Sequence, residues 1–138
     1  MLDCEEYHRW MRQAVYTLNA IRADVEYGAY SWACFKAQQA AELALKALLK
    51  ALGKPAFGHN LVQFFKELAE YCGGADSELA LCIGYLDKLY IPPRYPDAFV
   101  EGAPYERFTP QEAEMAAKCA ERVVRWVEGC SPCRGSTR

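Results

Sequence analysis

The stretch Ala33-Cys34-Phe35-Lys36-Ala37-Gln38-Gln39-Ala40-Ala41-Glu42-Leu43-Ala44-Leu45-Lys46-Ala47-Leu48-Leu49 decides the fold. It is rich in strong helix formers, and neither glycine nor proline interrupts it. Small and apolar residues at 33, 37, 40, 41, 44, 45 and 48 form one wide helical face. Gln38, Glu42 and Lys46 are spaced four apart, so they stack on one stripe of the same helix. Gln39 lies beside them, toward the apolar face. Polar groups that border a core need polar partners. The stripe therefore marks either an internal network or a surface turned toward a ligand or a second subunit.

Working outward, the same periodicity continues. This second helix runs from about Tyr30 to Leu52 and stops at Gly53-Lys54-Pro55. Before it, Tyr7, Met11, Ala14, Leu18, Ile21 and Val25 define a first helix from about Asp3 to Val25, with Asp3 and Glu6 set as a capping box. Asn60 caps a third helix that reaches Tyr71, and Gly73-Gly74 closes it. A fourth starts at Asp76 or Ser77 and carries Leu79, Cys82, Ile83, Leu86 and Leu89. Thr109-Pro110-Gln111-Glu112 opens the last helix, with Thr109 as cap and Glu112 completing the box. Its core face is Ala113, Ala116, Ala117, Ala120, Val123, Val124 and Val127, and the alanines allow close helix approach.

Between the last two helices, Pro92, Pro93, Pro96, Pro104 and Pro110 forbid a regular long helix. Arg94, Tyr95, Asp97, Phe99, Tyr105 and Phe108 make this loop too aromatic for a solvated linker, so it is expected to pack onto the bundle. The expected fold is all-α, an antiparallel up-and-down bundle of four to five helices over residues 1–129, followed by a flexible C-terminal tail over 130–138.

Composition narrows the function classes. Sixteen basic against 18 acidic residues give a net charge of −2, which offers no global attraction to nucleic acid or to an anionic membrane. Nucleic acid is therefore not the favoured partner. No apolar run approaches a bilayer span, and Asp3, Glu5 and Glu6 are wrong for a signal peptide, so a cytoplasmic protein is expected. The seven cysteines are odd in number and lack a secretory context, which argues against a disulfide framework. Cys34, Cys72, Cys82 and Cys119 read as small buried residues. Cys130-Ser131-Pro132-Cys133 has the spacing of a metal or redox pair in a frayed tail with Gly135 and Ser136. A zinc site would need two more ligands, with only His8 and His59 as histidines, so no metal site is expected.

Three pieces then come together in order: Phe35-Lys36-Ala37-Gln38-Gln39-Ala40-Ala41-Glu42-Leu43-Ala44-Leu45-Lys46, Gly58-His59-Asn60-Leu61, and Arg94-Tyr95-Pro96-Asp97. In combination they resemble the HEPN domain family, the small prokaryotic group often encoded beside a minimal nucleotidyltransferase. The resemblance spans roughly Asp3 to Val127. It implies an all-α bundle, a homodimer, and a toxin–antitoxin or nucleotide-linked role. Ribonuclease members carry an Arg, four to six arbitrary residues, then a His, because a His moves protons for a ribose 2′-OH and an Arg stabilises the phosphorane charge. Measured from Arg94, that His would fall at Phe99, Val100 or Glu101, and the signature is absent.

Gln38, Gln39, Glu42, Lys46, His59, Arg94, Tyr95 and Asp97 are the candidate ligand-binding residues; no catalytic residue is assigned. An Arg on a proline-fixed loop suits a phosphate or carboxylate. An ATP-like nucleotide is the ligand expected if one binds, with no other cofactor, and Tyr95 and Tyr105 are candidates to stack its base. The expected partners are a second copy and a minimal nucleotidyltransferase, with no membrane. Two competing readings stand beside this one. In the first, Glu42 and Lys46 form an exposed pair and Arg94 anchors the loop through Asp97 or Glu42. In the second, the chain is a divergent ribonuclease using Arg94 with His59 or a tyrosine. Trp10, Tyr16 and Trp32 are candidates for an intersubunit face.

Overall fold

The computed structural model describes residues 1–135 and 137; Ser136 and Arg138 lie outside the described residues. Among the described residues there are five α-helices and no strand: α1 (Cys4–Tyr27), α2 (Tyr30–Ala51), α3 (Leu61–Tyr71), α4 (Ser77–Asp87) and α5 (Pro110–Cys130). Two single 3-10 turns, Pro96–Ala98 and Pro104–Glu106, punctuate the proline-rich loop.

The helix starts follow local chemistry. The side chains of Asp3, Asn60, Asp76 and Thr109 accept from the backbone N–H of Glu6, Gln63, Leu79 and Glu112, respectively. At Thr109 the box is reciprocal, with Glu112 Oε1 accepting from the Thr109 N–H at 3.1 Å. At Asp3 only half of it forms, because the Glu6 carboxylate turns to Arg9 at 2.6 Å instead. Gly28 ends α1 at φ 93°, a left-handed conformation suited to glycine, and its N–H returns to Asp24 and Val25. Leu89, expected inside the fourth helix, lies two residues past its end in a turn.

α2 is the central helix. It packs against α1, α3, α4 and α5, so 15 of its 22 residues are buried, and the stripe Trp32, Lys36, Gln39, Leu43 and Lys50 reaches solvent. Leu45, Leu48 and Leu49 are fully buried there. Truncating any one to Ala would cost about 2–5 kcal/mol. The buried row Ala113, Ala116, Ala120, Val123, Val124 and Val127 of α5 closes onto it as the sequence pattern required; Ala117, assigned to that row, is only half-buried.

The cysteine reading needs correcting. Three disulfides cross the bundle: Cys4–Cys133, Cys72–Cys130 and Cys82–Cys119. Their Cα separations of 5.5, 5.6 and 5.1 Å fall within the range a disulfide spans. Only Cys34 is the small buried free thiol expected of it. Cys130 and Cys133 thus tie the last segment to the end of α3 and the start of α1. His8 adds to this, with Nε2 donating to the Arg134 carbonyl and Nδ1 paired to Thr137 Oγ1, both at 3.0 Å. Partners 129, 58 and 37 residues apart are set by tertiary packing, which an odd count and a two-residue spacing do not encode.

These connections give the bundle two unlike ends. The start of α1 meets the end of α2 through Asp3 N–H to Ala51 carbonyl at 2.9 Å, and the ends of α3 and α5 join them through disulfides. At the other end, the start of α3 is fixed to the last turn of α4, since the Leu61 N–H donates to Asp87 Oδ1 at 2.9 Å. The start of α5 lies there too, where Tyr85 Oη donates to the Glu112 carbonyl at 3.2 Å.

Candidate functional site

The polar stripe of α2 points inward. Gln38 is fully buried, and Glu42 and Lys46 are 5% and 8% exposed. The exposed Glu42–Lys46 pair of the competing reading is therefore excluded: this stripe of α2 faces α3 and its entrance, where Glu42 meets His59 and Lys46 meets Phe64. Gln39, expected toward the apolar face, is instead the more exposed of the two glutamines.

Glu42 is the hub. Its Oε1 accepts from Gln38 Nε2 at 3.2 Å and lies 2.9 Å from His59 Nδ1, while Lys46 Nζ lies 3.3 Å from Oε2. Gln39 Nε2 donates to Gln38 Oε1 at 2.8 Å, so one carboxylate organises a chain of four partners. Lys46 Nζ also sits 5.7 Å from the Phe64 ring centroid. Each charge in this network has an opposite charge or a donor beside it, as burial demands.

His59 carries the network to the surface. The preceding Gly58 has φ 83°, and Asn60 caps α3, so the imidazole is held at the helix entrance with its side chain 47% exposed. A carboxylate only accepts, so Nδ1 donates to Glu42, and Nε2 is paired with Tyr90 Oη at 2.8 Å. The two rings also stack, with centroids 4.0 Å apart. Tyr90 was not singled out in the sequence. Its signal is its position four residues before Arg94 in the turn that follows α4.

Arg94 lies on an aromatic platform. Its Cζ is 4.0 Å from the Phe35 ring, 4.5 Å from Tyr90 and 4.9 Å from Tyr95. Nε donates to the Tyr90 carbonyl at 2.8 Å, which fixes the plane of the guanidinium. Its terminal nitrogens have no hydrogen-bond or ion-pair partner among the described residues. The loop anchor by an Arg94–Asp97 or Arg94–Glu42 ion pair is thus not formed. Asp97 is exposed in the turn Pro96–Ala98 and joins neither the Glu42 network nor Arg94. The platform extends through an edge contact between Phe35 and Trp32 at 6.4 Å, and Trp32 and Tyr95 are each about half exposed. Tyr105, the other candidate for stacking, is 73% exposed and has no ring contact to Arg94. The loop itself packs only in part, through buried Pro93 and Pro104 and an edge contact of Phe99 with Phe108. Trp10 is covered by Lys50, whose Nζ is 4.6 Å from its ring, whereas Tyr16 is 70% exposed.

Seven of the eight candidate residues therefore belong to two adjoining arrangements, a closed Glu42 network and an open Arg94 platform, with Tyr90 shared between them. Among the described residues no group of three His, Cys, Asp or Glu side chains is placed to hold a metal ion, and no helix is long and apolar enough to cross a membrane.

Comparison with known proteins agrees with this architecture. The HEPN domain family model matches residues 7–130. The crystal structure of TT1696 from Thermus thermophilus superposes with a TM-score of 0.85 at 39% identity, covering 89% of this chain and 96% of that one. ST0689, an archaeal HEPN homologue, gives 0.75 at 36% identity, covering 94% and 98%. Human sacsin is 30% identical over 125 residues, or 86% of this chain, but the chain spans only 3% of sacsin's length.

Proposed function

Since the chain belongs to the HEPN domain family, we propose that it is a non-catalytic HEPN protein whose Arg94 platform binds the phosphate of a nucleotide. It works as a homodimer beside a nucleotidyltransferase partner, in a system of the toxin–antitoxin kind. The observation that carries the ligand reading is the state of Arg94. A guanidinium stacked on Phe35, Tyr90 and Tyr95, with its terminal nitrogens unpartnered, is already oriented to bind an anion in bidentate fashion. Half-exposed Tyr95 and Trp32 beside it supply faces for a base. Thermal melting of the protein against a nucleotide panel tests this, since a ligand that binds only the folded state raises its stability by mass action. An ATP-type nucleotide is expected to raise the melting temperature of the wild type and not that of Arg94→Ala, each compared with its own ligand-free state. If no nucleotide shifts the wild type, the ligand reading fails and binding to the partner protein alone remains.

One observation favours a second reading, a divergent ribonuclease. His59 is oriented by Glu42 through Nδ1, and its Nε2 faces the hydroxyl of Tyr90, whose ring lies under Arg94. This joins an acid–base group to a cation despite the missing Arg–His signature. RNA cleavage abolished in both His59→Ala and Arg94→Ala would support it. RNA left intact by the wild type removes it.

A further inference from the structure

The outer face of α4 is only partly covered among the described residues. A groove of roughly 890 Å³ runs between α4 and α5. Its apolar part includes Leu81 and Met115, which are 74% and 55% exposed, together with half-buried Tyr85. Gly84 sits inside this helix, where glycine costs roughly 0.5–1 kcal/mol relative to alanine. Its φ is not positive, and a Cβ there would meet nothing within 4 Å. The fold of the single chain therefore gives no reason for a glycine at this place. Close approach by a second chain does.

The order of residues along the face identifies that chain. Glu78, Leu81, Tyr85 and Lys88 follow each other at spacings of three, four and three, so they form one stripe along α4. Read backwards, the stripe places Lys88 on Glu78 and Tyr85 on Leu81. An antiparallel copy related by a twofold axis near Ile83 would set acid against base at both ends and apolar against apolar in the middle. Such self-complementarity is the requirement of an isologous interface. Lys88 has no ion-pair partner among the described residues, and Glu78 meets Arg122 at 2.6 Å, leaving a carboxylate that is still 72% exposed.

We propose that α4 is the homodimer interface, formed by antiparallel packing of α4 on the α4 of a second copy across Leu81, Tyr85 and Gly84, with Glu78 paired to Lys88 of that copy. This rests on the homodimer part of the functional reading and is independent of the ligand part.

Sedimentation over a concentration series tests it with Glu78→Lys, Lys88→Glu, the double swap and Leu81→Asp. Circular dichroism confirms that each variant folds. The wild type is expected to be a dimer. Each single reversal should weaken it roughly tenfold, because symmetry makes every substitution count twice. Leu81→Asp should give monomers. The double swap should recover most of the affinity, although Glu78→Lys still sets a second cation beside Arg122 within its own chain. Only pairing between copies explains that recovery. A wild-type monomer, or a dimer indifferent to all four variants, would overturn the proposal. Nucleotide-dependent melting read on the same samples separates failure of this interface from failure of the Arg94 site.

Discussion

The two ends of the bundle are held together by different chemistry. At one end, Cys4–Cys133 and Cys72–Cys130 fix the start of α1, the end of α5 and the end of α3 by covalent bonds, and midway along the bundle Cys82–Cys119 ties α4 to α5. At the other end, only the thiol of Cys34 is present, and it is buried and free. There the contacts are polar and aromatic: Glu42 with Gln38, Lys46 and His59, Tyr90 with His59, and Arg94 on its rings. The difference teaches where rearrangement is allowed. Disulfides restrict the unfolded chain and need no ligand. A guanidinium with open nitrogens gains by acquiring one. Even within the polar end there is a contrast, since the Glu42 carboxylate is buried and paired on both oxygens whereas the terminal nitrogens of Arg94 are unpartnered among the described residues.

Reduction of the three disulfides should have the largest effect. A single crosslink closing a long loop is worth about 2–5 kcal/mol, and the loop closed by Cys4–Cys133 contains nearly the whole chain. Full reduction should therefore lower unfolding stability by at least about 4 kcal/mol in a urea titration, with overlapping loops keeping the total below a simple sum. The reduced protein, while still folded, should retain its response to nucleotide, because no disulfide touches the Arg94 platform. A melting temperature unchanged by reduction would break the comparison at its covalent end.

Glu42→Ala comes next. It leaves the Lys46 ammonium and the Gln38 amide buried without their acceptor, a loss of about 3–5 kcal/mol. A cost below about 1 kcal/mol would mean that Lys46 finds water or another acceptor, and the network would not be closed.

Alkaline pH should weaken the polar end more gradually. Burial raises the Cys34 thiol from a usual 9.0 to about 12, with Glu112 adding to the effect. Burial likewise raises the Tyr85 hydroxyl from 10.0 to about 12, with Cys34 and Glu112 as further causes. Both groups are neutral when protonated, and in the unfolded chain they lose their protons at lower pH than in the fold. Their contribution is complete below pH 9 and declines as pH rises from about 9 toward 12. Cys34→Ala should flatten the lower part of that decline in denaturation curves recorded across this range. The folded wild type should also resist thiol alkylation at about pH 8, where a buried thiol stays protonated.

The smallest effect on stability belongs to Arg94→Ala, below about 1 kcal/mol, because it removes one hydrogen bond and a partly exposed stack. A loss as large as that of Glu42→Ala would make Arg94 a structural residue and erase the contrast between the two arrangements.

Much of this was legible in the sequence because it is local. Asp3, Asn60, Asp76 and Thr109 mark their helix starts through bonds spanning three residues, and the apolar spacing of α2 and α5 identifies the faces that meet. What was not legible depends on enclosure. The four-residue spacing of Gln38, Glu42 and Lys46 shows that they share a stripe, but not that this stripe is covered by α3 and its entrance. The clue was present in the same run: from Ala37 to Leu49 the only charges are Glu42 and Lys46, too few for a solvated face. Tyr90 escaped notice because its role depends on His59, 31 residues away. The disulfides escaped for the same reason, at longer range.

The most direct test of the central claim is calorimetric titration of nucleotide into the wild type, Arg94→Ala and Arg94→Lys. The expected result is saturable binding to the wild type, loss in Arg94→Ala, and marked weakening in Arg94→Lys, because an ammonium keeps the charge but neither stacks as a plane nor binds a phosphate in bidentate fashion. Equal binding by all three proteins would contradict it and place any nucleotide elsewhere on the molecule.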